Sequence, residues 1–206
     1  MNTLIIIGAS GHGKVVADIA LKTDRYKDIY FLDDNLEVKE CMGFPVVGTL
    51  DEIHKWVDKA EYIVAIGKSD VREKITIQLK DSDAQIATLI HPKASIGMNV
   101  QIGSGTVVMA GAVINPGTRI GEGVIINTSS SVDHDNEIGD YCHISVGAHL
   151  AGTVHVGKHT WIGAGTTVIN DLSICEGCMV GAGAVVIKDI EESGTYVGVP
   201  AKRLAY

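Results

Sequence analysis

The chain has 206 residues, 46% of them hydrophobic, and a net charge of −8, enough for one large or two small domains with a real core. Residues 1–88 carry 11 basic and 15 acidic groups and residues 89–206 carry 6 and 10, with no basic block to suggest nucleic acid. No apolar run approaches a membrane span, and Met1–Ile7 lacks the basic start and long apolar core of a signal peptide, so a soluble cytoplasmic protein is expected.

The first predicted strand is the apolar run ending at Gly8, followed by Gly8-Ala-Ser10-Gly11-His12-Gly13-Lys14. Val15, Val16, Ile19 and Ala20 then recur at helical spacing, and a second strand, Ile29–Leu32, ends in Asp33-Asp34. Together these make a βαβ unit with a parallel pair. Its glycines let the backbone turn tightly and aim N–H groups at a helix N-terminus toward an anion. An acidic pair at the end of the second strand is where such folds grip a ribose hydroxyl. The glycine order, G-x-x-G-x-G, departs from the dinucleotide pattern G-x-G-x-x-G, and a plain glycine turn would carry the same residues.

Further along, Thr49-Leu-Asp-Glu52 predicts a capping box opening a helix. Tyr62–Ile66 reads as a buried strand and Gly67-Lys68 as a loop. Val71, Ile75 and Leu79 mark the next helix, and residues 87–90 a last strand. Residues 1–88 are therefore an α/β domain with a Rossmann-like parallel sheet.

From Ile90 to Val186 every sixth residue is Ile, Val or Leu, seventeen positions in one register. That period fits neither helix nor alternating strand and is the signature of a hexapeptide β-helix. Three hexads close one triangular coil, so residues 18 apart stack, about 4.8 Å apart by ordinary strand spacing. The residues four places after each apolar one are mostly small or β-branched and also point inward; Thr106, Thr118, Ser130, Asn136, Cys142 and Thr160 are among them. The residue just after it is often glycine, as in Gly103, Gly121, Gly139 and Gly157, which we read as supplying the positive φ of a tight corner. Only Tyr141 and Trp161 are aromatic between 90 and 186. A sandwich of short strands would show uneven spacing and hairpin turns. The expected domains are 1–88, a β-helix over 89–190, and a C-terminal tail, 191–206.

Cys175 and Cys178 form a lone C-x-x-C with no second pair to complete a zinc site, and Cys178 and Cys142 fall in the small inward column, where cysteine serves as a small apolar residue. His143, His149 and His155 share one phase of successive hexads, so they lie on three sides of the prism and cannot meet at one ion within a chain. A site shared between chains stays open, but no metal is expected. His134 lies two places after Val132 and should point outward, and Gly152, 18 residues on, lies one coil above it. An outward imidazole beside an accessible backbone N–H suits a base and an oxyanion donor for acyl transfer. Asp135 or Asp133 could orient the ring.

These motifs carry a resemblance over the whole chain. Gly8–Lys14, Phe31-Leu-Asp-Asp34, Ala65-Ile-Gly67, Asn127-Thr-Ser-Ser130, His134-Asp135, His143-Ile-Ser-Val-Gly147 and Gly198-Val-Pro-Ala-Lys202 resemble the sugar N-acetyltransferases of the left-handed β-helix superfamily, with the sialic-acid O-acetyltransferases as cousins. The resemblance implies a left-handed coil, a homotrimer with sites between neighbouring prisms, acetyl-CoA as cosubstrate, and an acceptor that is a UDP- or dTDP-linked 4-amino-4,6-dideoxy sugar. It implies that His134 is the general base, that Asp135 orients it in place of a glutamate, and that Gly152 donates to the oxyanion. Asn127 and His143 would lie near the thioester. Gly147, Trp161, Gly163, Ala164, Gly181 and Ala182 would line the CoA groove. Lys188, Lys202 and Arg203 are placed for CoA phosphates. Ser10, Gly11, His12, Gly13 and Lys14, with Asp33, Asp34, Gly67 and Lys68, would hold the nucleotide sugar. The alternatives are an O-acetyltransferase, or a zinc hydratase or non-catalytic scaffold.

Overall fold

The structure is a computed structural model and describes residues 2–205. The chain divides into two compact units between Pro92 and Lys93. No helix among the described residues is long and apolar enough to cross a membrane.

The first unit contains strand β1 (Thr3–Ile7), helix α1 (Gly11–Lys22), β2 (Asp28–Leu32), the short pair β3 (Glu40–Cys41) and β4 (Phe44–Pro45), a 3-10 helix over Leu50–Lys55, β5 (Glu61–Val64), α2 (Ser69–Asp81) and β6 (Gln85–Ile86). Its parallel sheet has the order β2-β1-β5-β6. Central β1 is covered on both faces, so it reads as a continuous apolar run, and Leu4 through Ile7 are fully buried. Ile5, Ile7, Leu32, Tyr62, Val64 and Leu79 form the core on one side.

Two local expectations need correction. The Thr49–Glu52 segment opens a single 3-10 helix rather than a capped α-helix, because the Thr49 side chain makes no cap bond and Glu52 turns to pair with Lys55. The expected strand over residues 87–90 is displaced. Only three residues separate α2 from β6, which brings Gln85–Ile86 alongside β5, while Leu89–Ile90 is a separate two-residue strand.

The second unit is a left-handed parallel β-helix built from two-residue strands. Each strand pairs with the one 18 residues on. One face carries Val107, Ile125, His143, Trp161 and Met179 in register. The next carries Ser95, Val113, Ser131, His149, Thr167 and Val185. The third carries Gln101, Arg119, Glu137, His155 and Ser173. From Val108 to Val186 every hexad residue is buried. The inward column binds the coils in a second way. Thr106 and Thr118 donate to Gly121 O and Asp133 O, each 15 residues on, at 2.8 and 2.7 Å.

The corner glycines serve a different purpose from the one first read. Those just after the apolar residue do not have positive φ; they let the coils touch. A Cβ on Gly103 would lie 2.5 Å from the Gly121 carbonyl, and one on Gly157 would lie 2.4 Å from Glu176 N. Positive φ falls two residues later, at Gly105 and Gly165 and also at Asp135, Tyr141 and Thr153. Tyr141 is buried at such a corner, outside the prism core, stacked 5.6 Å from His159. Residues 195–203, within the expected tail, extend a face: Thr195–Val197 pairs with Met179–Val180 and with Lys202–Arg203.

Candidate active site

The turn after Val132 carries His134 and Asp135 side by side. Asp135 takes a left-handed backbone, φ 56°, which bends its carboxylate back toward the preceding ring. Its Oδ2 accepts from His134 Nδ1–H at 2.9 Å, leaving Nε2 bare. This bond is the main reason the His134 pKa is raised; desolvation opposes it, and the charges of Asp133, Asp135 and Asp171 add to it. The imidazole is 58% exposed, as an outward position requires.

Asp133 does something else. Its Oδ1 accepts from His134 N–H at 2.9 Å and from Asn115 Nδ2 at 2.7 Å. The Asn115 bond first, and the His134 N–H second, hold its carboxyl below the usual range. Of the two candidate orienting acids, Asp135 grips the ring and Asp133 grips the backbone.

Gly152 lies against the ring. A Cβ there would sit 2.6 Å from both Cε1 and Nε2 of His134, so glycine is required for the imidazole to lie over this backbone. The Gly152 N–H finds no acceptor among the described residues. A bare Nε2 and an uncommitted N–H thus stand together, able to take a proton and to donate to a developing oxyanion.

On another face Asn127 Nδ2 donates to His143 Nε2 at 3.0 Å, and Trp161 stacks on His143 at 5.0 Å while its Nε1–H donates to Ser145 Oγ at 2.6 Å. Within one chain this cluster and the His134 turn are on different sides of the prism. Gly147 belongs to a ledge of left-handed corners, with Gly165 and Gly183 above it, where an added Cβ would meet nothing. The last two were missed, though their 18-residue spacing from Gly147 could have revealed them. Ala164 and Ala182 are exposed beside that ledge. Gly163 and Gly181 are instead packing glycines, whose Cβ would meet Val180 O at 2.5 Å and Val197 Cγ1 at 2.7 Å. Lys188, Lys202 and Arg203 come together around one cleft of about 330 Å³, with Arg203 also paired to Glu192.

In the first unit the β1–α1 loop is tightly built. Gly8 has φ 105°, and a Cβ on Gly13 would lie 2.1 Å from Gly8 O. Gly11 faces open space, and Ser10 at the helix N-cap makes no side-chain cap bond. Lys14 is exposed on the first turn. His12 is held neutral, its pKa lowered to about 4 by burial and then by the charge of Arg72. Asp33 accepts from Ala9 N–H at 2.7 Å and from Asn35 N–H at 2.8 Å, while Asp34 accepts from Leu50 N–H at 3.0 Å. Both acids therefore fasten loops. Lys68 pairs with exposed Asp70 at 3.2 Å. Arg72 was missed altogether. It is 1% exposed and donates to Ile66 O and Gly67 O, both at 2.8 Å, which fixes the Gly67-Lys68 loop. Its place on the apolar stripe of Ile75 and Leu79 was the available signal.

The remaining polar groups pair locally. His149 Nδ1 is 2.8 Å from Ser131 Oγ and His155 Nδ1 is 3.3 Å from Glu137 Oε2, each on its own face. Among the described residues, no three His, Cys, Asp or Glu side chains gather as metal ligands would. Cys175 and Cys178 are free thiols 3.4 Å apart; burial, then the bond to Cys175, pushes Cys178 up to about 12, as suits an inert inward cysteine.

Two family models match the chain: the PglD N-terminal domain over residues 3–79, and the bacterial transferase hexapeptide (six repeats) over residues 93–128 and 153–188. The acetyltransferase domain of PglB from Neisseria gonorrhoeae FA1090, solved in complex with acetyl coenzyme A, is 40% identical over 98% of this chain and 99% of that one, with a TM-score of 0.95. PerB from Caulobacter crescentus, solved with CoA and GDP-perosamine, is 34% identical over 100% and 98%, with a TM-score of 0.94. The UDP-N-acetylbacillosamine N-acetyltransferase of Bacillus subtilis (strain 168) is 35% identical over 115 residues, which is 53% of this chain and about half, 52%, of that protein.

Proposed function

We propose that this chain, which belongs to the hexapeptide-repeat sugar N-acetyltransferases with a PglD-type N-terminal domain, moves the acetyl group of acetyl-CoA to the amine of a nucleotide-linked 4-amino-4,6-dideoxy sugar. The observation that carries the reading is the bare Nε2 of His134 against Gly152, with Nδ1 fastened by Asp135. A sugar ammonium first loses a proton to solvent. As the free amine attacks the thioester carbon, Nε2 takes its second departing proton. The carbonyl oxygen becomes an oxyanion facing the Gly152 N–H. Collapse breaks the C–S bond, and the thiolate of CoA leaves and is protonated. Direct transfer needs no acyl-enzyme, and Cys178 and Cys142 are buried in the inward column, away from any nucleophile's position.

Asn127, His143 and Trp161 are too far around the prism to serve the same chain's His134, so in this reading a second copy supplies them and the working unit is a homotrimer. The cleft of Lys188, Lys202 and Arg203 takes CoA phosphates, offsetting the net negative charge. The β1–α1 loop, with Ser10, Gly11, Lys14 and Lys68, takes the sugar diphosphate. The relatives' acceptors, GDP-perosamine and a UDP-linked sugar, suggest the class but not the base.

The test is acetyl-CoA turnover, followed by thiol release, with UDP-, dTDP- and GDP-linked 4-amino-4,6-dideoxy sugars. At least one should be acetylated at nitrogen, and His134→Ala should lower kcat by about 10²–10⁴. Undiminished turnover in that variant would remove His134 as the base.

A further inference from the structure

The polar residues of the prism's inward column bond in different directions. Thr106, Thr118, Thr160 and Thr166 each donate forward, to the carbonyl 15 residues on, and so does Cys142. Ser130 instead donates backward, to Asn127 O three residues before it. Asn136, completely buried, does both. Its Nδ2 donates forward to Ala151 O at 3.0 Å and backward to Asp133 O at 2.7 Å, and its Oδ1 accepts from Val154 N–H at 2.6 Å.

The two carbonyls are not arbitrary. Ala151 O and Gly152 N–H belong to one planar peptide group, so holding the oxygen sets the direction of the N–H. A donor on that oxygen also polarises the peptide and strengthens its N–H. Asp133 O belongs to the peptide whose N–H is that of His134, the group gripped by the Asp133 carboxylate. One buried amide therefore fastens the peptide that carries the base and the peptide that carries the oxyanion donor. The two fastenings differ in redundancy. Asp133 O also receives the Thr118 hydroxyl at 2.7 Å, whereas Ala151 O has no second side-chain donor among the bonds described.

We infer that Asn136 is a positioning residue for the transfer, aligning the Gly152 N–H with the Nε2 of His134 through the Ala151–Gly152 peptide. This rests on the roles read above for His134 and Gly152. The column itself provides the tools to test it, because its other members show what each substitute would bond. Asn136→Thr keeps the forward bond, Asn136→Ser the backward one, and Asn136→Val neither. Valine already fills this column at Val124 and Val154.

The experiment measures kcat and the KM for acetyl-CoA in all three variants, with the best amino sugar of the panel, beside His134→Ala. Asn136→Val should lose about 10- to 100-fold in kcat, part of the cost of losing an oxyanion donor, with the KM for acetyl-CoA within about twofold of the wild-type value. Threonine should restore most of that loss and serine should not, although both are small hydroxyls. If the valine chain does not fold, threonine against serine still decides the matter, because threonine keeps the forward bond to Ala151 O while serine keeps only the backward one to Asp133 O, which the Thr118 hydroxyl already serves. Equal activity in those two variants, or wild-type kcat in Asn136→Val, would overturn the inference provided that His134→Ala shows its expected loss of kcat. If His134→Ala is itself fully active, the failure belongs to the underlying reading of the site.

Discussion

The two units solve the problem of close backbone approach in opposite ways. In the first, one loop concentrates the demand: Gly8 is twisted to φ 105° and Gly13 has no room for a side chain. Around it lies an ordinary α/β core of large apolar residues, with Asp33, Asp34 and Arg72 fastening the loops. In the prism the demand is spread over every coil. One glycine of a hexad lets neighbouring coils touch, and another position, two residues later, takes the left-handed turn. A constraint repeated in register can be varied at single sites, and the proposed site makes use of that variation. Asp135 and Thr153 occupy left-handed corners that glycine fills elsewhere, and Asn136 is the one amide in a column of small or apolar residues.

The sharpest way to break this comparison is a methyl group at a coil contact. Gly103→Ala would press a Cβ 2.5 Å from the next coil's carbonyl and should cost about 1–3 kcal/mol of stability. Gly165→Ala, in open space with φ 66°, should cost only about 1 kcal/mol for its left-handed backbone. Chemical denaturation of both variants checks the order; equal losses would remove the distinction between the two glycine roles.

A smaller effect separates the units by pH. His12 titrates near 4 when folded and near 6.5 when unfolded, so between those values the unfolded chain binds the extra proton. Its stabilising effect is complete above pH 6.5 and is lost as the pH falls to 4. Melting curves over that range should show a decline that is shallower in His12→Gln. An equal decline in both proteins would place the acid sensitivity elsewhere.

The smallest effect is a displacement. The Asp135 bond raises the His134 pKa, so the acid limb of the rate profile should lie above the ordinary histidine value, since the neutral ring is the active form. In Asp135→Asn the limb should move to lower pH. A limb that stays in place would mean that another group sets it.

Much of the prism was legible because each hexad reports on the same environment. Seventeen repetitions outweigh any local ambiguity, and the 18-residue stack alone places Gly152 over His134. The same repetition hid Asn136, which sits in a list of small inward residues and shows its difference only when its two bonds are traced. The glycines were visible but misread, because sequence does not tell a crowded position from a twisted one. In the first unit the strands and helices were legible from apolar runs. The polar fastenings were not, since Asp33 accepts from Ala9 across 24 residues and Arg72 reaches back from a helix to a loop. Such bonds depend on tertiary placement and leave no period.

The central claim is that a histidine fastened at Nδ1 and bare at Nε2 performs the proton transfer beside the Gly152 N–H. Single-turnover acetyl transfer to the accepted amino sugar, measured in wild type and His134→Asn at saturating acetyl-CoA, tests it most directly. The variant should bind acetyl-CoA normally and transfer about 10²–10⁴ times more slowly. Transfer at the wild-type rate would contradict it.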